Sequence, residues 1–190
     1  MVYDLENHCE APDLTLLTVR SYIWSLTPAD ARFLCWHTVF AESENEKVLD
    51  WINSLEPEAR LDALRACLLV FSVSDGQVVP RQFQLTAGLV AYRKKHAIIN
   101  AGTGSGKTLS MVIPLLMDPE AVAIIISPLK RLQATQAEEL ERFLIRPLVI
   151  NEDTVLSTLQ IQVPHVASWL ECLSRVSLCH RRSKKAHITC

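Results

Sequence analysis

The apolar residues between positions 14 and 71 recur every three or four residues, the spacing that places them on one face of a helix. The segment TPADARFLCWHTVF begins with Thr27, a residue type that caps helices, and with Pro28, which is tolerated at the first helical position. The apolar residues expected near one face of this helix are Phe33, Leu34, Trp36 and Phe40. The pattern therefore predicts a helical N-terminal region with a buried apolar face.

The same spacing predicts two further helices in this region. The segment SENEKVLDWINSL has Ser43 and Glu46 three residues apart, as in a capping box, and PEARLDALRACLLVF begins at Pro57. The apolar stripe of the first of these helices consists of Val48, Leu49, Trp51, Ile52 and Leu55. Aromatic residues at helical spacing are most often buried, so we interpret the tryptophans of the region as core and not as base-stacking platforms. They are Trp24, Trp36 and Trp51.

The pattern changes after SVSDGQVVP (residues 72–80), a turn-like stretch centred on Asp75 and Gly76. Beyond it, short apolar runs typical of buried strands alternate with helical segments. The predicted strands are residues 96–101 (HAIINA), 121–127 (AVAIIIS) and 146–151 (RPLVIN), and the predicted helices are RQFQLTAGLVAYRKK, KTLSMVIPLLMD and PLKRLQATQAEELERFL. The order β-α-β-α-β predicts an α/β fold with a parallel sheet and helices on both faces. Pro114 is expected to kink or shorten the second helix, because it removes the bond to Ser110.

A glycine-rich loop, AGTGSGKT, joins the first predicted strand to the helix that follows it. Ala101 stands where the first glycine of a phosphate-binding loop is common, and the Gly-Lys-Thr sequence follows at the required distance. The glycines permit backbone angles that turn successive N–H groups towards phosphate oxygens, and the next helix directs its positive end at them. These glycines are Gly102, Gly104 and Gly106. The loop therefore predicts a nucleotide site.

The last two loop residues have separate expected roles. Lys107 reaches the β- and γ-phosphates as a point charge, and the Thr108 hydroxyl ligates a magnesium ion that bridges those phosphates. The alternative is a glycine-rich turn that serves geometry alone, since isolated glycine patterns are common in α/β proteins.

Composition places few limits on function. The 190 residues are 49% hydrophobic and carry a formal charge of −2, but residues 1–60 have eleven acids and four bases (net −7), so the remaining 130 residues carry +5. The phosphate loop thus lies in the part of the chain that is suited to a polyanion. The apolar runs are too short to span a bilayer, no secretory signal is visible, and the scattered cysteines predict reduced structural thiols. We expect an intracellular protein without membrane partners.

Three segments together resemble a known family. RQFQ, AGTGSGKTLSMVIPLL and SPLKRLQATQ resemble the first RecA-like domain of superfamily-two helicases, most of all the RecQ-like ATP-dependent DNA helicases, over roughly residues 78–153. The resemblance implies an incomplete RecA-like sheet, ATP and Mg²⁺ as cofactors, and single-stranded or partly duplex DNA as a partner. It implies that Arg81 and Gln84 recognise adenine; a Gln amide can pair with the base through one donor and one acceptor.

The resemblance also assigns residues to two sites. Its cofactor-binding residues are Arg81, Gln84, Gly102, Thr103, Gly104, Ser105, Gly106, Lys107 and Thr108, with Thr108 also serving the metal. Its nucleic-acid residues are Ser127, Pro128, Leu129, Lys130 and Arg131, which would touch the DNA backbone. The alternative for the second group is an ordinary helix start with solvated bases. The predicted organisation is a helical region at residues 1–75, a partial RecA-like ATP-binding domain at residues 76–153 and a basic tail at residues 154–190.

Hydrolysis of ATP requires an acidic pair, which in this family belongs to the motif D-E-x-H. The sequence contains no Asp-Glu dipeptide. We assign no catalytic role to Asn151, Glu152 or Asp153, and we do not expect this chain to turn over ATP alone. The basic cluster at residues 181–185 suits a nuclear address, a nucleic-acid contact, or an exposed tail with no special role, such as the end of a shortened gene product.

Three functions fit these observations. The first is the ATP-binding N-terminal portion of a RecQ-like DNA helicase. The second is a non-catalytic nucleotide-binding protein whose helices at residues 14–71 dock a partner. The third is another phosphate-loop NTPase or kinase, which would have no need of the R-x-x-Q and S-P-L segments.

Overall fold

The helices expected from the apolar spacing are present in the computed structural model, which describes residues 14–41, 46–127 and 129–151. Within these ranges there are seven α-helices: α1 (Leu14–Ser25), α2 (Pro28–Leu34), α3 (Glu46–Ser54), α4 (Pro57–Val73), α5 (Gln82–Tyr92), α6 (Thr108–Met117) and α7 (Lys130–Glu141). A π-helical turn, Cys35–Val39, continues α2. One compact unit spans Glu10–Val149; of the described residues, only Ile150 and Asn151 fall in the second unit.

Local chemistry fixes where the N-terminal helices begin. The Thr27 hydroxyl accepts a hydrogen bond from the Asp30 N–H at 3.2 Å and donates one to the Asp30 carboxylate at 2.6 Å. Pro28 and Pro57 occupy the first positions of α2 and α4, as predicted, because neither position requires an N–H donor. Ser43, the predicted cap of α3, lies outside the described residues.

The buried face of α2 and of the turn that follows it agrees with the prediction only in part: Phe40 is buried and Leu34 packs against the core. Ala31, Cys35 and Val39, which are four residues apart, are buried, whereas Phe33 is 62% exposed and Trp36 is 51% exposed. At about 100° per residue, the two aromatic residues fall on the side of the helix opposite Ala31. Small residues bring α2 close to the similarly small face of α4, where Ala63 and Cys67 are buried. Trp36 is therefore not a core residue, and this prediction was wrong.

The other two tryptophans pack against the core. Trp24 and Trp51 are partly buried there, as predicted. Two guanidinium groups lie over the Trp24 ring. The Cζ atom of Arg20 is 4.3 Å and that of Arg65 is 5.0 Å from the ring centroid. Both arginines thereby cover apolar surface while their charge faces a ring that attracts cations.

Helix α4 is the centre of the unit, and it packs against α1, α2, α3, α5 and α6. Arg20 on α1 donates two hydrogen bonds to the Met117 carbonyl at the end of α6, at 3.0 and 3.1 Å. Helices on both sides of the predicted boundary near residue 75 thus pack together, although the predicted turn is present, with positive φ at Asp75 and Gly76. The division into domains stays a prediction.

Helices α5 and α6 approach each other closely at Gly88. A Cβ at this position would lie 2.8 Å from the Cβ of Ile113, a distance that packed side chains do not tolerate. Helix α6 continues through Pro114 and ends three residues later, at Met117. The kink or shortening expected from Pro114 stays a prediction.

The three predicted strands do not form a sheet in the described part of the chain. Residues 96–101, 121–127 and 146–151 have no regular secondary structure, and Ile98 is 95% exposed and Ile126 85% exposed. Among the described residues, the backbone groups of residues 96–100 and 122–126 make no hydrogen bond. A strand satisfies its backbone only through a neighbouring strand, so apolar composition alone did not produce the predicted parallel sheet.

The described cysteines are structural thiols. Cys35 and Cys67 are free and buried; burial raises the pKa of the Cys35 thiol to about 12 and raises that of Cys67 well above its usual value. These two residues confirm the prediction of reduced thiols. In the described ranges, no helix has the length and apolarity needed to cross a membrane.

Candidate nucleotide-binding site

The glycine-rich loop forms two tight turns immediately before α6. The Ser105 N–H donates to the Gly102 carbonyl at 3.3 Å, and the Leu109 N–H donates to the Gly106 carbonyl at 3.2 Å. Gly104 and Gly106 both have a φ of +77°, a conformation that side chains disfavour. Gly102 lacks a positive φ, and a Cβ there would meet nothing within 4 Å, so glycine is not required at that position.

The loop offers a set of backbone donors. Within the described part of the chain, the N–H groups of Thr103, Gly104, Gly106, Lys107 and Thr108 donate no hydrogen bond. Thr108 is the first residue of α6, so the positive end of the helix dipole adds to these donors. This combination of N–H groups and helix dipole is suited to an anion such as a phosphate.

The Lys107 side chain bends back over the first half of the loop. Its ammonium donates to the Ala101 carbonyl at 2.9 Å and to the Gly102 carbonyl at 2.7 Å. Both acceptors are uncharged, and a hydrogen bond to a phosphate oxygen is stronger because donor and acceptor are both ionised. The arrangement thus holds a cation at the loop in a position where an anion can compete for it.

Gln84 connects the start of α5 to the second half of the loop. This side chain is 5% exposed. Its Oε1 accepts a hydrogen bond from the Arg81 N–H at 2.7 Å, and its Nε2 donates to the Gly106 carbonyl at 2.9 Å and to the Ser105 carbonyl at 3.3 Å. The R-x-x-Q segment and the phosphate loop, which are 20 residues apart in sequence, are therefore joined by one amide group.

Arg81, the other residue expected to recognise adenine, is exposed and lies at the N-cap of α5. It lines an open cleft of about 750 Å³ between α5 and residues 97–101. The other lining residues on α5 are Gln82, Phe83, Thr86, Ala87 and Val90. The cleft is mainly apolar and ends at Ala101 of the loop, so it offers a planar base a surface beside the phosphate site.

Two serine hydroxyls lie in or beside the loop; Ser105 was among the predicted cofactor-binding residues, whereas Ser110 was not. The hydroxyl oxygens of Ser105 and Ser110 are buried without a hydrogen-bond partner. The Thr108 side chain, by contrast, is only half-buried. In the described ranges, no group of three or more His, Cys, Asp or Glu residues is suited to a metal ion.

The second predicted site lies at the start of α7. The Ser127 carbonyl accepts a hydrogen bond from the Gln133 Nε2 at 2.9 Å, and the Ser127 hydroxyl oxygen is buried without a partner. Leu129 is exposed, and Lys130 and Arg131 are exposed in the first turn of the helix. Pro128 lies outside the described residues. The structure thus brings an orphaned hydroxyl and two basic residues to one helix end, where an anion is favoured.

One comparison with known proteins gives a match. Residues 81–168 match the family described as DEAD/DEAH box helicase, a stretch slightly shorter than half of the 190-residue chain. No curated protein and no solved structure matches the chain. The matched stretch begins at Arg81 and includes the phosphate loop and the start of α7. It supports the resemblance at the level of superfamily-two helicases and of ATP binding.

Proposed function

We propose that this chain is the ATP-binding portion of a superfamily-two helicase of the RecQ-like kind. The observation that carries the proposal is the loop at residues 101–108, which combines five N–H groups that have no acceptor among the described residues, a helix N-terminus and the Lys107 ammonium. The match that begins at Arg81 supports a helicase, since an unrelated NTPase or kinase has no need of the R-x-x-Q segment.

ATP would bind with its phosphates on the loop and its base beside α5. The N–H groups of Gly104, Gly106 and Lys107 would donate to phosphate oxygens, and the Lys107 ammonium would leave the Ala101 and Gly102 carbonyls for the β- and γ-phosphates. Arg81 would lie against the base at the edge of the cleft. Mg²⁺ neutralises phosphate charge when it is bound, and the Thr108 hydroxyl would help to hold it.

Nucleic acid would bind at the start of α7. Ser127, Lys130 and Arg131 would contact the phosphates of single-stranded or partly duplex DNA, which suits the net +5 charge of residues 61–190. A nuclear location would agree with this partner.

Binding without turnover is the expected behaviour of this chain alone. The sequence contains no Asp-Glu dipeptide that would hold magnesium and orient an attacking water. We therefore expect ATP binding in the absence of DNA-stimulated hydrolysis.

ATP binding by the purified chain and its Lys107→Ala variant tests the proposal. Loss of the ammonium removes a charge-assisted hydrogen bond worth about 1.5–3 kcal/mol, so affinity should fall roughly tenfold or more in a calorimetric titration. Lys95→Ala is the matched control, because Lys95 is exposed and lies outside the loop. Equal affinity of the wild type and Lys107→Ala would contradict the phosphate-loop assignment, and DNA-stimulated hydrolysis that Lys107→Ala abolishes would contradict the expectation of binding alone.

A second function is favoured by the surface of α1 and α2. Tyr22, Phe33 and Trp36 are large aromatic residues that are each more than half exposed. Aromatic residues of this kind are enriched at protein interfaces, which favours a nucleotide-binding interaction protein whose N-terminal helices dock a partner. Replacing Trp36 with Ala would leave ATP affinity unchanged under both proposals, but would weaken partner binding only under this one.

A further inference from the structure

We propose that Gln84 is a positioning residue that sets the direction of the phosphate-binding N–H groups, a role different from reading the base. The inference rests on the nucleotide site proposed above. It starts from three hydrogen bonds of one buried amide: from the Arg81 N–H to Oε1, and from Nε2 to the carbonyls of Ser105 and Gly106.

The three hydrogen-bond partners of Gln84 fix which end of its amide is the oxygen and which is the nitrogen. The oxygen must face the Arg81 N–H, and the nitrogen must face the two carbonyls, because the reverse assignment would oppose like groups. Nε2 donates to the two carbonyls at 2.9 and 3.3 Å, and Oε1 accepts from the Arg81 N–H at 2.7 Å. Pairing with adenine through one donor and one acceptor would compete with these contacts at both ends of the amide.

The two carbonyls held by Gln84 determine where two of the loop's donors point. In a planar trans peptide, the C=O of one residue and the N–H of the next point in opposite directions. With the Ser105 and Gly106 carbonyls directed at Gln84, the N–H groups of Gly106 and Lys107 are directed away from it. These are two of the N–H groups that have no acceptor among the described residues. The Gln84 amide therefore aligns donors for phosphate without touching the phosphate.

Packing keeps this contact in place. A Cβ added to Gly106 would lie 2.7 Å from the Gln84 nitrogen, so the loop backbone approaches the amide as closely as glycine allows. Gln84 is one of two buried polar side chains in the described part of the chain, and its amide has a partner at each end, whereas the Ser110 hydroxyl has none. A buried polar group that is satisfied in this way is costly to replace, which suits a residue that holds a loop.

The two roles of Gln84 predict different results for a ligand that has no base. If Gln84 reads adenine, its replacement lowers affinity for ATP and leaves affinity for inorganic tripolyphosphate unchanged. If Gln84 positions the loop, both affinities fall together. Gln84→Glu is the sharpest variant, because it keeps the shape of the side chain but places an oxygen against two carbonyl oxygens. Gln77→Glu is the matched control, since Gln77 is exposed, precedes α5 and does not line the cleft.

We expect Gln84→Glu and Gln84→Ala to lower the affinity of the full chain for tripolyphosphate roughly tenfold or more, because two charge-assisted hydrogen bonds lose their alignment. Gln77→Glu should leave this affinity unchanged. Unchanged tripolyphosphate affinity beside weakened ATP affinity would overturn the inference. If the wild type binds neither ligand, the nucleotide site itself fails, which is a separate result.

A measurement on the wild type covers variants that do not fold. The Nε2 hydrogens of Gln84 should exchange with solvent much more slowly than those of exposed Gln82 in the nucleotide-free chain. Equal exchange rates at the two side-chain amides would show that Gln84 does not hold the loop.

Discussion

The helical core and the predicted strands both contain large apolar residues, but these residues have opposite surroundings. Ile52 on α3 is fully buried, whereas Ile98 in the segment before the phosphate loop is 95% exposed. A helix satisfies its backbone within itself, so α1 to α6 need from one another only the burial of apolar faces. A strand needs a neighbour for its N–H and C=O groups as well, and none is present for residues 96–100 in the described part of the chain.

The phosphate loop connects the unpaired segment at residues 96–100 to the helical core. One half of the loop is held by packed helices and the other half is not, so the halves differ as the two regions do. Its second half is fixed by Gln84 on α5 and by the first turn of α6. Its first half, Ala101 and Gly102, follows the unpaired segment and accepts side-chain hydrogen bonds only from Lys107 among the described residues. The half that would donate N–H groups to phosphate under the proposed function is therefore set by helix packing, which does not require the sheet.

The largest effect is expected from the core side of the comparison. Ile52→Ala removes a fully buried side chain and leaves a cavity among the helices, so the free energy of unfolding should fall by about 2–5 kcal/mol. Chemical denaturation, monitored by the circular dichroism signal of the helices, measures this free energy of unfolding. A loss below about 0.5 kcal/mol would mean that α3 does not belong to the cooperative core.

The next effect tests the close contact beneath the loop. Gly88→Ala places a Cβ 2.8 Å from Ile113, and overpacking of this kind costs about 1–3 kcal/mol, more than the gain of up to about 1 kcal/mol from replacing glycine in a helix. Thermal unfolding should show a lower Tm than that of the wild type. Replacing Ala91, which is exposed on the same helix, with Ser controls for a change on α5 away from α6. A higher Tm for Gly88→Ala would show that α5 and α6 are further apart than described here.

A smaller effect distinguishes the two halves of the loop. Gly106→Ala puts a side chain at a φ of +77° and against Gln84. This strain should lower the free energy of unfolding by about 1–2 kcal/mol and should also lower the affinity for phosphate. Gly102→Ala meets no atom within 4 Å and should leave stability within about 0.5 kcal/mol. Stability and tripolyphosphate titrations of the pair check both values. Equal effects of the two substitutions would remove the distinction between the halves.

The sequence allowed correct prediction of features that depend only on residues close together in the chain. The cap Thr27, the position of Pro57 at the start of α4 and the positive φ of Gly104 and Gly106 were predicted correctly, because each depends on residues close in the chain. The exposed face of α2 was not, since a spacing of four residues places either the small or the large side chains inward and only contact with α4 decides between them. The partners of Gln84 were also missed, because residue type does not reveal which carbonyls a buried amide will meet.

The smallest effect tests the exposed side of the comparison directly. Ile98→Ala deletes the same atoms as Ile52→Ala, but the side chain is already in water, so the free energy of unfolding should change by no more than about 0.5 kcal/mol. Because both substitutions delete the same atoms, the same denaturation experiment on the two variants measures how much the surroundings of the side chain contribute to stability. A loss for Ile98→Ala as large as that for Ile52→Ala would show that the segment before the loop is covered in solution. The predicted strand would then be paired, and both halves of the loop would be held by packed structure.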